Sequence, residues 1–594
     1  MRRCMRAVCG HLAAAAAAVG LGASALLTVG PACAQAAHQG RADAPPVNAR
    51  SHGDDAALGA AAAAIERVLA SSSTPGVVVG ITDRAKTLKV IVSGYADLKA
   101  RTPLTADSRF AIGSISKSFT SVALMELADE GRFQPQAPIT RYLPEFKLKS
   151  HYPPITGRHV LSHTSGLPNY FEDAASSRYA LVKLQQFSPA YPPGAHWWYS
   201  NTGFQILGYA IESIERSPYA TVIQHRVLDP LGMRSTIPVI DDAHRQAMTV
   251  SYERWPYDGS YVEASWFEYS ASDGSIVSDA PDMCAYLRFY LNRGATPQGR
   301  VLSEKSFDEL TTPVLNDYAY GLFVRHEHGD TVIGHDGAIA GFRAHIEAHM
   351  NDGFGIVILT NGGLADGHTL AEWIGHVVTA AYRGQALPPA PAITATPDLK
   401  EYAGLYNAHN AGGGSAGNTL EVIMVGDRLM LKHGGGNRVL ERMGANVFRE
   451  AGPGGDNLPF FFFRSGDGKS GKVTDVSHGA EWYAGKEFSG TVAAAAPSAY
   501  TAYAAYVGHY AHHGPEGPAA RVFVRNGALM IAPSGTDGPP EAPEPLVPVG
   551  EGAFRPGKAE VAYNPERERF DTLEDGRMLR LNITGVPLYR METP

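Results

Sequence analysis

The sequence predicts an α+β protein: one large domain of mixed helices and strands, then two small all-β domains. Three observations predict it. Across residues 58–383 helical and strand patterns alternate without a break. A Pro- and Ala-rich stretch, 384–398, then reads as a linker. Beyond it the chain turns to short strands and glycine turns, and it repeats itself. "EYAGLYN" (401–407) matches "AYVGHYA" (505–511), "VGDRLMLKH" matches "VRNGALMIA", and "LERMGANVFR" matches "LVPVGEGAFR", in the same order. Ordered self-similarity of this kind marks repeated units, here two β-barrel or β-sandwich domains at 399–492 and 500–594.

The elements follow in chain order. "MRRCMR" is a cationic start, an Ala/Leu/Val-rich run extends from Leu12 to Val29, and "ACAQA" supplies small residues for cleavage after Ala34 or Ala36. Residues 1–36 thus read as an export signal, with a retained transmembrane anchor or a lipoprotein at Cys33 as alternatives. Residues 37–57 read as a disordered lead-in. "PGVVVGITD" and "KVIVSGYADL" predict paired strands. "SFTSVALMELADEG" predicts a helix ending at Gly131, and "TGFQILGYAIESIER" a second helix. "RAHIEAHMNDGFGIVILTN" predicts two strands joined at "NDG". With the signal removed, Cys284 is the only cysteine left, so no intramolecular disulfide forms. Its helical context, "DMCAYLRFYL", predicts packing and not chemistry.

Composition narrows function. The 594-residue chain is 44% hydrophobic and 19% charged with a net charge of −8, which excludes a dedicated nucleic-acid binder with a basic stripe. Three short stretches carry candidate chemistry. In "FAIGSISKSFT" (110–120), Ser114 and Lys117 stand at a helix start, where positions i and i+3 share a face. The lysine amine can reach the serine hydroxyl, and the backbone N–H of Ser114 is free for a developing oxyanion. Read blandly, Ser114 is only a helix cap. In "PPGAHWWYSNTGF" (192–204), Tyr199 and Asn201 can face one cleft from a loop. A phenol beside a lysine ammonium has its pKa lowered, and the two titrate as a pair. In "GHDGAIAGF" (334–342), glycines allow close backbone approach, Ala338 N–H can serve as a second oxyanion donor, and His335 has a titration range suited to a substrate group.

In this order, Ser-x-x-Lys, Tyr-x-Asn and His-x-Gly, the chain resembles the class C β-lactamase-like serine hydrolases, the group of penicillin-binding proteins and peptidase family S12. Flanking segments such as "ITGRHVLSHTSGLP" and "VLDPLGMRST" resemble it too. The resemblance covers residues 58 to 382. It implies a β-lactamase/transpeptidase-like domain, an antiparallel sheet with flanking helices plus an all-α subdomain, with the site between them. It implies Ser114 as acylated nucleophile, Lys117 as its activating partner and Tyr199 as general base and acid. Asn201, His335 and Gly337 would meet the substrate, and the N–H groups of Ser114 and Ala338 would form the oxyanion hole. Two departures stand out. The third motif carries histidine where class C β-lactamases carry lysine. Asp336 adds a negative charge beside the site, which Arg343 could offset.

The expected activity is an exported, periplasmic or secreted, serine hydrolase of a peptide, amide or ester. It is expected to be D-aminopeptidase- or D,D-peptidase-like and to act on a small-molecule or short-peptide substrate. A carboxylesterase or β-lactamase of the same fold, and a non-catalytic sensor, are the alternatives. No cofactor, no metal, no nucleic acid and no membrane span after signal cleavage are expected, and self-assembly is left open. "GGSAG" (413–417) with "HGGG" (433–436) lacks the strand–turn–helix setting of a nucleophile elbow. "HIEAH" (345–349) reads as strand, where i and i+4 lie too far apart for a helical zinc site. "HEHGD" (326–330) and His512-His513 read as turn residues.

Overall fold

The computed structural model describes residues 55–591 apart from 72–73, 171–176, 255–260, 328, 363–366, 391–397, 409–418, 434–435, 445, 452–457, 466–470, 492–502, 513–518, 535–542, 558–562 and 584–585. The export signal, nearly all of the lead-in, the core of the linker and "GGSAG" lie outside the described residues. Helix α1 (Asp55–Ser71) begins inside the segment read as lead-in, so regular structure starts earlier than expected.

The large domain is built on a seven-stranded antiparallel sheet. Its strands are β1 (Gly76–Asp83), β2 (Thr87–Asp97), β3 (Thr102–Pro103), β4 (Phe323–Glu327), β5 (Asp330–Ile339), β6 (Phe342–His349) and β7 (Phe354–Thr360). They lie in the order β4-β5-β6-β7-β1-β2-β3. Each expected strand pair is present: Val78 faces Val92 across β1–β2, and Ala348 faces Gly355 across the hairpin at "NDG". Strand β1 is buried along its whole length because both faces are covered. Val77, Val79 and Ile81 pack under α1 and α5 (Gly367–Tyr382), while Val78 joins the opposite core. Gly80 leaves room there for α4 (Ala280–Leu291): a Cβ at Gly80 would meet Cys284 Sγ at 2.9 Å. Cys284 is fully buried, and burial pushes its thiol up to about 12, so it is packing material.

The all-α subdomain surrounds α2 (Ser116–Asp129), which runs through the middle of the core. Every residue from Ser116 to Met125 is buried, so its hydroxyls must find partners inside. They do: Ser118 donates to Ile115 O (2.7 Å), Ser121 to Lys117 O (3.0 Å) and Thr120 to Ser272 O (2.8 Å). Phe119 stacks on Tyr286 at 3.8 Å. Helix α3 (Asn201–Glu215) packs against it, started by Ser200, whose Oγ accepts from Gly203 N (2.9 Å).

The tail forms two closed eight-stranded barrels, Gly404–Gly485 and Gly508–Arg590. The sequence repeat is a structural repeat. Tyr406 donates to Tyr402 O and Tyr510 to Tyr506 O, each at 2.8 Å. Each barrel also carries a register shift at the matched turn, at Arg442/Gly444 and Pro548/Gly550. The barrels contact each other through Phe461 stacked on Phe523 (4.3 Å) and through Arg525 on Asp475 (2.8 Å).

Candidate active site

Ser114 lies in a single 3-10 turn, Gly113–Ile115, that leads into α2. It caps nothing: Ile115 holds the cap position, without a side-chain hydrogen bond. Its Oγ instead accepts from Lys117 Nζ at 2.9 Å. Lys117 is completely buried; its ammonium also donates to Asp273 O (2.8 Å) and faces the rings of Tyr199 (4.9 Å) and Phe204 (5.8 Å). Burial strips water from the charge and lowers its pKa to about 7, against the opposing pull of Asp273. The amine is therefore poised to exchange a proton with the serine near neutral pH.

The third stretch meets the first by backbone contact. A Cβ at Gly337 would lie 1.9 Å from Ile112 O, and one at Gly113 (φ +51°) 2.6 Å from Ala338 N. Only paired glycines let β5 approach this closely. The approach brings Ala338 N beside the residue that precedes Ser114, the placement a two-donor oxyanion hole needs.

Tyr199 is 8% exposed and packs on His163 (ring centroids 4.2 Å). Asn201 is not in a loop, as expected, but is the first residue of α3. Its Nδ2 donates to Asn169 Oδ1 (2.7 Å), and its buried Oδ1 has no hydrogen-bond partner among the described residues. That oxygen is available to a substrate N–H.

His335 corrects an expectation. Its Nδ1 lies 2.6 Å from Asp336 O, and a carbonyl only accepts, so Nδ1 carries the proton. Nε2 then accepts from Tyr318 OH (3.1 Å). Burial, with Lys117 nearby, lowers its pKa to about 4. His335 is thus a neutral, hydrogen-bonded ring and not a group that titrates near pH 7. Asp336 departs from expectation too: its side chain does not share the face of His335 and Gly337, although its charge still reaches the His335 ring and opposes the fall in its pKa. Alternation along β5 turns Asp336 to the other face, where His345, opposite it on β6, takes its Oδ1 at 2.6 Å. "HIEAH" is strand, as read, with His345, Glu347 and His349 on one face; both histidines approach Glu347 at 3.5 Å. Asp330, His349 and Asp352 have ligand atoms close enough to share an ion. Each already has a partner: His349 bonds Asp330 (3.1 Å), and Arg383 bonds Asp352 (2.6 Å). "HEHGD" is only partly a turn, since His326 and Glu327 close β4 and buried Asp330 starts β5.

Five residues near the site escaped the sequence reading. His163 accepts from Ser200 N (3.0 Å) and so fixes the backbone between Tyr199 and Asn201; burial drives its pKa well below the usual histidine range. Its signal was present in "SHTSGLP". Tyr318 and Asp273 carry no local signal. Tyr563 and Glu566 come from the second barrel. Tyr563 stacks on His196 (4.1 Å, 2° between planes), and buried Glu566 accepts from Asn169 N (2.8 Å) and Trp198 Nε1 (3.2 Å). No sequence pattern announces a contact between a barrel and a cleft almost 400 residues upstream.

Residues 61–379 match the Beta-lactamase family. Protein flp of Staphylococcus aureus strain MW2 is 25% identical over 315 residues, 50% of this chain and 61% of that protein. Beta-lactamase-like protein 2 of Dictyostelium discoideum is 30% identical over 249 residues, 39% of this chain and 42% of that protein. The chain thus spans about three fifths or less of these relatives' lengths. The octameric penicillin-binding protein homologue from Pyrococcus abyssi superposes with a TM-score of 0.52 at 21% identity, over 80% of this chain and 98% of that one. That likeness is one of fold.

Proposed function

Because the chain belongs to the Beta-lactamase family, we propose that it is an exported serine hydrolase that cleaves a peptide, amide or ester bond through an acyl-enzyme on Ser114, with D-aminopeptidase- or D,D-peptidase-like specificity. The observation that carries this reading is the 2.9 Å contact between Ser114 and a fully buried Lys117 whose pKa falls to about 7. As Ser114 Oγ attacks the substrate carbonyl carbon, its proton passes to the neutral Lys117 amine or to Tyr199. The carbonyl oxygen becomes an oxyanion held by the N–H groups of Ser114 and Ala338. Collapse breaks the bond to the leaving group, which takes the proton back through Tyr199 and leaves an ester on Ser114. Water, deprotonated by the same pair, then attacks the ester, and the acid and free serine are released. Asn201 Oδ1 accepts from the substrate amide.

Two features support an acyl group bearing a free ammonium. Glu566 Oε2 is buried with no hydrogen-bond partner among the described residues, and Oε1 is bound to Asn169, which itself holds Asn201. A buried carboxylate oxygen without a donor favours a cation. The third motif offers His335, a neutral ring, where a substrate carboxylate would need positive charge. This ranks an aminopeptidase-like activity above β-lactam hydrolysis.

A panel tests both levels: D- and L-aminoacyl amides, D-Ala-D-Ala peptides, short acyl esters and a chromogenic cephalosporin. Aminoacyl amides should turn over fastest, and Ser114→Ala should abolish turnover while the protein stays folded. Activity retained in Ser114→Ala, or no labelling of Ser114 by a fluorophosphonate, sinks the acyl-enzyme. Export predicts a mature N-terminus after Ala34 or Ala36, read by N-terminal sequencing of the product.

A further inference from the structure

The buried segment Ala271–Ile276 is laced to the helix that carries the reacting pair. Thr120 donates to Ser272 O (2.8 Å), Ile276 N donates to Ser116 Oγ (3.1 Å), and Lys117 donates to Asp273 O (2.8 Å). Asp273 itself is 1% exposed. Tyr269 OH lies 2.8 and 3.0 Å from its two carboxylate oxygens, and Tyr170 OH donates to Oδ2 at 3.3 Å. Gln205 Nε2 in turn donates to Tyr269 OH (3.3 Å). A buried carboxylate is costly unless donors and a cation compensate it. Here two phenols supply the donors, and Lys117 is the cation.

We propose that Asp273 is a positioning residue for the nucleophilic pair: its carboxylate, held by Tyr269 and Tyr170, keeps an anion beside Lys117 and so sets the pH below which Ser114 stops reacting. This rests on Lys117 as proton acceptor for Ser114. Asp273 works on the protonated amine alone, because a fixed anion stabilises ammonium over amine. It offsets part of the burial effect on Lys117, and Lys117 in turn opposes the rise that burial imposes on Asp273. The other titratable groups facing the pair do not substitute for it. His163 and His335, on the loop before Ser165 and on β5, are both held neutral by burial beside Lys117. Tyr219 and Tyr269 face Asp273 with phenols that burial keeps protonated. Tyr199 faces the ammonium through its ring. Asp273 is thus the one carboxylate among these groups, and Lys117 and the Tyr269 hydroxyl favour its ionised form against the burial that raises its pKa.

The test is the pH dependence of Ser114 labelling by a fluorophosphonate probe on the full chain. In the parent the rate should rise with pH through a limb near 7. In Asp273→Asn, which keeps the backbone carbonyl that binds Lys117, the limb should move down by about one pH unit or more. Tyr269→Phe weakens the carboxylate's support and should move it the same way by less. It serves as the second variant should Asp273→Asn not fold. A rate lowered equally at every pH, with the limb unmoved, means a merely structural role and overturns the inference. An NMR titration of the Lys117 ammonium separates the two claims. A downward shift in Asp273→Asn upholds the inference even where Ser114 fails to label, and an unshifted ammonium overturns it even where Ser114 labels normally.

Discussion

At the scale of single residues, the candidate site divides into side chains placed for the proposed reaction and glycines that let β5 approach them. Ser114, Lys117, Tyr199 and Asn201 were legible in the sequence because each sits in a short pattern with a physical reason for its spacing. What those patterns could not carry was environment. Asp336 was read as a charge at the site, yet alternation along β5 turns it to the opposite face. His335 was read as titratable, yet burial and the Tyr318 hydrogen bond hold it neutral. This gives a prediction about pH: His335→Gln should leave the acidic limb of activity near 7, because that limb belongs to Lys117 and activity rises as its ammonium loses a proton. A limb displaced in this variant would assign the proton to His335. Gly337→Ala gives a second. Its Cβ would lie 1.9 Å from Ile112 O, so β5 must draw back from Gly113 and take Ala338 N with it. Losing one oxyanion donor costs about 100- to 1,000-fold in kcat. Steady-state kinetics should show that loss in kcat with a smaller change in KM.

At the scale of elements, strands and helices were readable wherever burial imposes a period. The hairpins of β1–β2 and β6–β7 and the course of α2 and α3 follow the apolar pattern. The polar residues of β5 and β6 were harder, because they are buried without being apolar. On the face away from Ser114 they line a cavity of about 260 Å³ between the sheet and α5, with Arg325, Asp336, His345, Glu347 and His349 among its walls. Asp336 and Glu347 flank His345 and raise its pKa to about 10, while His345 and its neighbours hold Glu347 well below the usual carboxylate range. A raised histidine stabilises the fold fully below its unfolded pKa, about 6.5, and loses that contribution as pH climbs through about 10. A lowered carboxylate does the reverse: its contribution is full above the unfolded value, about 4.3, and is lost in acid. The network should therefore be strongest between these limits, in mildly acid solution. Breaking a buried pair by removing one partner costs about 3–5 kcal/mol. Denaturant unfolding of Glu347→Gln should show a loss of that order at mildly acid pH and a smaller one at alkaline pH. An equal loss at both would mean that lost packing, not charge, accounts for it.

At the scale of the whole molecule, the repeat announced two like barrels, but not that they differ in what they touch. Likeness of sequence follows from likeness of fold: the paired tyrosine bonds and matched register shifts recur because each barrel closes the same way. Difference of role depends on surface residues that no period governs. The second barrel sets Tyr563 against His196 and Tyr191, with Glu566 between Asn169 and Trp198. The first barrel meets it through Phe461, Phe523 and the Arg525–Asp475 pair. Substrate length should then be limited by the second barrel, with the first acting as its support. Tyr563→Ala opens the wall without touching Ser114, Lys117 or Tyr199. It should raise kcat/KM for longer peptides relative to a single aminoacyl amide, while Ser114 labelling by a fluorophosphonate stays at the parent rate. Deleting residues 393–594 should relax length preference at least as far, and because it removes Phe461 together with Phe523 it bares neither ring of that stack. Measured kcat/KM over a ladder of peptide lengths decides the matter: a remnant that still labels at Ser114 but keeps the parent's preference for short substrates would show that the cleft itself, and not the barrel docked on it, sets the limit.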